Sequence, residues 1–183
     1  MLKGSEVNRL NFRMFLALEG IVKLLVAIKE VPTSSIYRIN KELSIYREID
    51  ENNLEVSVSR LYQMYTHGNI FVLVKEPYEM TLLDFIGRHA KEYVLISWEF
   101  IIKSIEETLT KTIQTLKRKC LHLVRMISTE DIVYAFGEWK LHSPEMFNQE
   151  TSNQVEVSQV LELLREEIMG RIAGVQSESQ LRN

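Results

Sequence analysis

A stripe of apolar residues starting at Trp98 constrains this chain more than any other feature. Ile102, Ile105, Leu109, Ile113, Leu116, Cys120, Leu123 and Ile127 follow it at steps of three or four residues, the spacing that keeps side chains on one face of an α-helix. Read as one element, residues 98–127 form an amphipathic helix of about eight turns. So long an apolar face needs a cover. A second stripe, Val157, Val160, Leu161, Leu164, Ile168 and Ile172, supplies part of it from a last helix that begins at Ser152 or Asn153.

The rest of the chain is read against those two helices. Three prolines and seven glycines in 183 residues leave few breaks, which favours long helices and short turns. Phe12, Phe15, Leu16, Val22, Leu25, Val26 and Ile28 predict a first helix from Asn8 to about Glu30, stopped by Glu30-Val31-Pro32. A second helix starts with Thr33 or Ser34 as its cap and carries Ile36, Ile39 and Leu43 on one face. Asp50-Glu51-Asn52-Asn53 is a turn. Ser57 to His67 reads as a third helix closed by Gly68, with a few strand residues before it where Leu54, Val56 and Val58 alternate. The β-branched and aromatic residues around Lys75-Glu76-Pro77-Tyr78-Glu79 predict a hairpin between about Ile70 and Leu83. Thr81 then caps a helix, and Ser143-Pro144 starts another. The polar end, residues 176–183, is expected to fray.

Charge and chemistry narrow the function classes. A net charge of −3 gives no global pull toward nucleic acid or anionic membrane. The single cysteine excludes an intramolecular disulfide framework and a Cys-based zinc cluster, so the cytoplasm is the expected compartment. Lying on the stripe, Cys120 is expected to be a packed thiol. The apolar run from Phe15 to Ile28 is interrupted by Glu19 and Lys23 and is too short to span a bilayer. The four histidines lack the spacing of a zinc-hydrolase helix, and no phosphate-binding glycine pattern follows a strand. Glu106 with Glu107, and Glu166 with Glu167, diverge on a helix and cannot form one acid/base site. The reading is of no enzyme, with no metal or cofactor.

The order helix, helix, turn, helix, hairpin, long helices resembles the winged helix-turn-helix DNA-binding proteins. Residues 34–43, 58–70 and 71–80 carry the resemblance as supporting helix, recognition helix and wing, and it covers roughly residues 11–83. The later helices resemble those of PadR-like and MarR-like regulators. The resemblance implies a mainly α chain: a winged domain over residues 8–92, a helical dimerisation region over 93–175 and the tail 176–183. It implies a homodimeric transcriptional regulator that places the helix around residues 57–67 in the major groove, with Ser57, Ser59, Arg60 and Gln63 at bases and phosphates and Lys75 on the wing. Lys111, Lys117, Arg118, Lys119 and Arg125 form a second basic patch on the long helix, suited to phosphate or simply solvated. Between Glu30 and Arg60, however, four basic residues face six acidic ones, which is poor for displacing counterions from phosphates. Two alternatives therefore stay open: a winged-helix or all-helical interaction module that never touches DNA, and a structural or viral assembly protein.

Overall fold

A computed structural model describes residues 13–19, 22–142, 144–149 and 154–180. It corrects the mainly α expectation: four α-helices stand beside antiparallel sheets of four, three and two strands among the described residues. Strands β1 (Arg13–Glu19) and β2 (Val22–Pro32) form a hairpin with Arg13 opposite Ile28 and Glu19 opposite Val22. Over residues 13–19 and 22–30 this overturns the helix expected from Asn8 to Glu30, whose first residues, 8–12, lie outside the described ones. The run Val22 to Pro32 is rich in apolar and β-branched residues, and such a run suits a helix or a two-sided strand equally until a partner strand is found.

Helix α1 (Ile36–Glu51) follows where the sequence placed it and buries Ile39, Glu42, Ile45 and Tyr46, but the expected Thr33 or Ser34 cap is not made: Thr33–Ser35 is a 3-10 turn, and Ser35 at the cap position makes no side-chain capping bond. The second correction concerns the proposed recognition helix. Residues 57–60 are extended, and Leu61–His67 is strand β3, joined to β4 (Ile70–Lys75) by Gly68-Asn69. Gly68 has φ +56°. A left-handed glycine closes helices and opens two-residue hairpin loops alike, and here it does the second. The expected wing is corrected with it, because β4 pairs with β2 and β3, while β5 (Met80–Thr81) leaves for another sheet. The first sheet runs β1-β2-β4-β3, and α1 covers one face through Val31, Ile39 and Leu73.

Helix α2 (Leu82–His89) starts as read, with the Thr81 hydroxyl accepting from the Asp84 amide at 3.0 Å. Helix α3 (Leu95–Lys117) is the long helix, but it ends ten residues before Ile127. The Leu121 amide donates to the Leu116 carbonyl and the Cys120 amide to that of Lys117, with Cys120 at φ +57°. That bond pair is the Schellman ending, and Leu121 packs back on Leu116 where a continuing helix would have pointed Cys120 inward. Cys120 is therefore exposed, not packed. Strand β6 (His122–Leu123) pairs with β9 (Phe147–Asn148), and β7 (Ile132–Ala135) with β8 (Glu138–Leu141). Pro144–Met146 is a single 3-10 turn, and the expected cap Ser143 lies outside the described residues.

Helix α4 (Val157–Gln180) closes the fold and runs into the tail expected to fray, taking in residues 176–180 of it. Its Val160, Leu164, Ile168 and Ile172 join Trp98, Ile102, Ile105, Leu109, Ile113 and Leu116 in one continuous core. The stripe on α3 is thus covered within the chain, which removes the reason for a dimer through the long helices. No helix among the described residues is long and apolar enough to cross a membrane.

Candidate functional site

Alternation along β2 and β4 directs Ala27, Lys29, Val31, Leu73 and Lys75 toward α1. The register sets Ala27 opposite Lys75 and Lys29 opposite Leu73, so the two lysines reach inward one diagonal step apart. Glu42 meets them from α1, with Oε2 2.7 Å from Lys29 Nζ and Oε1 3.1 Å from Lys75 Nζ. All three side chains are at most 1% exposed. Lys75 also donates to the His142 carbonyl at 2.7 Å, and its Nζ lies 5.4 Å from the Tyr46 ring centre.

A second carboxylate ties this cluster to the segment after β8. Glu145 lies 3.8 Å from Lys29 Nζ and accepts from Arg38 Nε at 2.6 Å and from its Nη2. Arg38 precedes Glu42 by four residues, one helical turn. Three cations and two carboxylates thus meet where α1, the sheet and the 144–146 turn converge. Isolated charges could not survive such burial, so each cation is given an oxygen.

The surroundings bias the proton equilibria of both carboxylates, of Lys75 and of His142. Burial alone would raise the Glu42 pKa, but Lys75 and Lys29 outweigh it and hold the carboxyl below its usual range. Burial also opposes the ionised form of Glu145, and the Arg38 bond with the Lys29 charge again brings it down. Lys75 is pulled down to about 8 by burial, against the Glu42 charge. Burial, with the charges of Lys75 and Lys29, keeps the His142 imidazole well below its ordinary pKa and so neutral.

One layer down, the loop from Val124 to Asp131 is tied off by its own side chains. Arg125 grips Asp131 with two bonds of 2.6 and 2.8 Å, and Asp131 also accepts from the amide and hydroxyl of Ser128. These bonds lower the Asp131 pKa despite burial. The His142 amide donates to the Asp131 carbonyl at 2.8 Å, so the loop's end and the segment after β8 are neighbours beneath the lysines.

The residues singled out in the sequence scatter. Ser57 uses its backbone to bond Thr112 Oγ1 and Leu141; Ser59 is buried against Leu141. Arg60 and Gln63 are exposed, Arg60 beside Glu76 and Gln63 on β3. Lys75, expected on a wing, is one of the most deeply buried side chains. The second basic patch does not lie on one helix: Lys111 and Lys117 are on α3, Arg118 and Lys119 are in the closing turn, and Arg125 is committed to Asp131. Lys119 bonds Asn52 at 2.7 Å. Lys29 and Glu42 escaped the sequence reading, although the strand motif Val26-Ala27-Ile28-Lys29 was there to be recognised. No group of three His, Cys, Asp or Glu side chains among the described residues could hold a metal ion. Compared with models of known protein families and with curated proteins, the chain matches none.

Proposed function

We propose that this chain is a protein-kinase-like module without phosphoryl transfer, acting by binding other proteins. One observation carries the reading: the 2.7 Å contact between Lys29, last of the Val-Ala-Ile-Lys run within β2, and Glu42 on the helix that follows. In protein kinases a V-A-I-K lysine holds the α- and β-phosphates of ATP and is itself held by a helix glutamate. The remaining kinase parts can be sought by position. The eight residues Val124 to Asp131 correspond to the H-R-D-L-x-x-x-N loop, and His142-Ser143-Pro144, directly after β8, to D-F-G. The bond between residues 142 and 131 supports that correspondence, since both positions would serve metal ions beside the lysine.

The chemistry at those positions is lost. Met126 stands where the catalytic aspartate would accept the hydroxyl proton, and a thioether cannot take it. His142 replaces the D-F-G aspartate, and a neutral imidazole is a poor ligand for magnesium, which takes oxygen. Asp131 holds the asparagine position but spends its oxygens on Arg125 and Ser128. Gly20 is the one glycine between Arg13 and Lys29, so the sequence of β1 and β2 carries no G-x-G-x-x-G motif. Lys29 and Lys75 are covered by carboxylates and protein. These residues do not fit ATP with magnesium.

What remains is a binding role, favoured by apolar side chains left in solvent: Val94, Leu95, Ile96 and Phe100 at the start of α3 are 60–71% exposed. The DNA reading has lost the helix on which it rested. Incubation with labelled ATP and magnesium or manganese, alone and with generic protein substrates, is expected to give no transfer, and ATP to leave the melting temperature unchanged. Transfer that disappears on Lys29→Met would overturn the proposal.

A further inference from the structure

Strand β3 is the outer strand of its sheet, pairing with β4 alone among the described residues. Its far side carries backbone N–H and C=O groups that a further strand could use. Proteins ordinarily blunt such an edge with charges, proline, a covering segment or a bulge, and here an irregularity of the last kind falls at the start of the strand, between Leu61 and Gln63. Leu61-Tyr62-Gln63-Met64-Tyr65-Thr66-His67 contains no Asp, Glu, Lys, Arg or Pro. Tyr62, Met64 and Tyr65 are 45%, 36% and 45% exposed. Beside this edge the sheet face turned away from α1 opens into a groove of about 350 Å³, lined by Ile28, Glu30, Tyr65, His67, Ile70 and Val72.

We infer that β3 is an interaction edge that pairs with β3 of a second copy, antiparallel about a two-fold axis. A two-fold perpendicular to the sheet at this edge sets two copies of one strand antiparallel, which continues the pairing used throughout this sheet. Self-pairing sets each side chain against one from the same short strand, so a charged strand would bring like charges together. This strand has none to bring. The register shift between Leu61 and Gln63 confines the regular part to Gln63–His67. An axis at Tyr65 then sets Tyr65 opposite Tyr65 of the other copy, Gln63 opposite His67, and Met64 opposite Thr66. Gln63, Tyr65 and His67 share the face of Val74, Val72 and Ile70, so the central tyrosines meet at the groove. Two four-stranded sheets become one. The inference rests on this edge and not on the reading of Lys29, so the two can fail separately.

Light scattering on chromatographed wild-type protein at high micromolar concentration is the first test. The expected mass is twice the 21.4 kDa of one chain. Tyr65→Lys is expected to give a monomer with an unchanged circular dichroism spectrum, because it places two ammonium groups across the axis. Tyr65→Glu should do the same, and an equimolar mixture of the two variants should recover the dimer. A monomeric wild type, a Tyr65→Lys protein that stays dimeric, or a mixture that stays monomeric would each overturn the inference.

Discussion

Helix α1 buries a carboxylate between two lysines, whereas α3 and α4 bury hydrocarbon almost throughout, Thr112 excepted. The two regions therefore fail differently. An apolar core loses stability in proportion to what is removed, because transfer energy and cavity cost both scale with missing atoms. An ionic core behaves as a unit: taking away one partner strands a charge that water can no longer reach, while replacing the whole cluster with hydrocarbon can cost nothing. Stability alone does not account for Lys29, Lys75 and Glu42. What the cluster does is fix α1 against both the sheet and the 144–146 turn.

The sharpest way to break this contrast is to remove one atom group from each side. Glu42→Ala leaves two facing ammonium groups in the interior and is expected to destabilise the chain by about 3–5 kcal/mol in denaturant unfolding. Ile105→Ala, equally buried, should cost about 2–5 kcal/mol, and its partner Ile105→Val far less. A graded series at residue 105 beside an abrupt loss at residue 42 is the expected pattern. A Glu42→Ala protein as stable as wild type would mean the lysines find other oxygens.

Acid separates the regions next. Glu42, Glu145 and Asp131 have folded pKa values below their unfolded ones, so their stabilisation is complete above the unfolded carboxylate values of 4.5 and 3.8 and is lost as pH falls through the folded values. His142 acts in the same direction, because the unfolded imidazole takes up a proton below its ordinary value of 6.5 while the buried one does not. Stability should therefore decline from about pH 6.5 downward. Hydrogen exchange of the β2 and β4 amides should accelerate before that of α3, since all of the titrating groups except Asp131 lie against the sheet and α1. Simultaneous loss in both regions would show one cooperative unit.

The smallest expected effect sits at the alkaline end. Lys75 is held at about 8 in the folded chain against 10.5 unfolded, so between those values the unfolded state binds the extra proton and stability rises with pH. Lys75→Met should abolish that rise, and because Glu42 keeps its bond to Lys29 the loss at neutral pH should be smaller than that of Glu42→Ala. Denaturant midpoints of both proteins at pH 7 and pH 10 measure it.

Residue patterns alone determined those parts of the molecule whose bonds are local. Helix α1, the Thr81 cap of α2, the body of α3 and the stripe of α4 were legible because capping and a 3.6-residue period act within a few residues. Tertiary structure decided the rest. Strands β2 and β4 pair with each other across about forty residues of sequence, as in Lys29 opposite Leu73, and no local rule sees that pairing. Gly68 offered the same left-handed geometry to a helix end and to a hairpin, and the choice fell to the strand that β4 could pair with. Lys75 read as a surface cation because lysine almost always is one. Only the arrival of Glu42 from α1 and the His142 carbonyl from beyond β8, 33 and 67 residues away, made its burial possible.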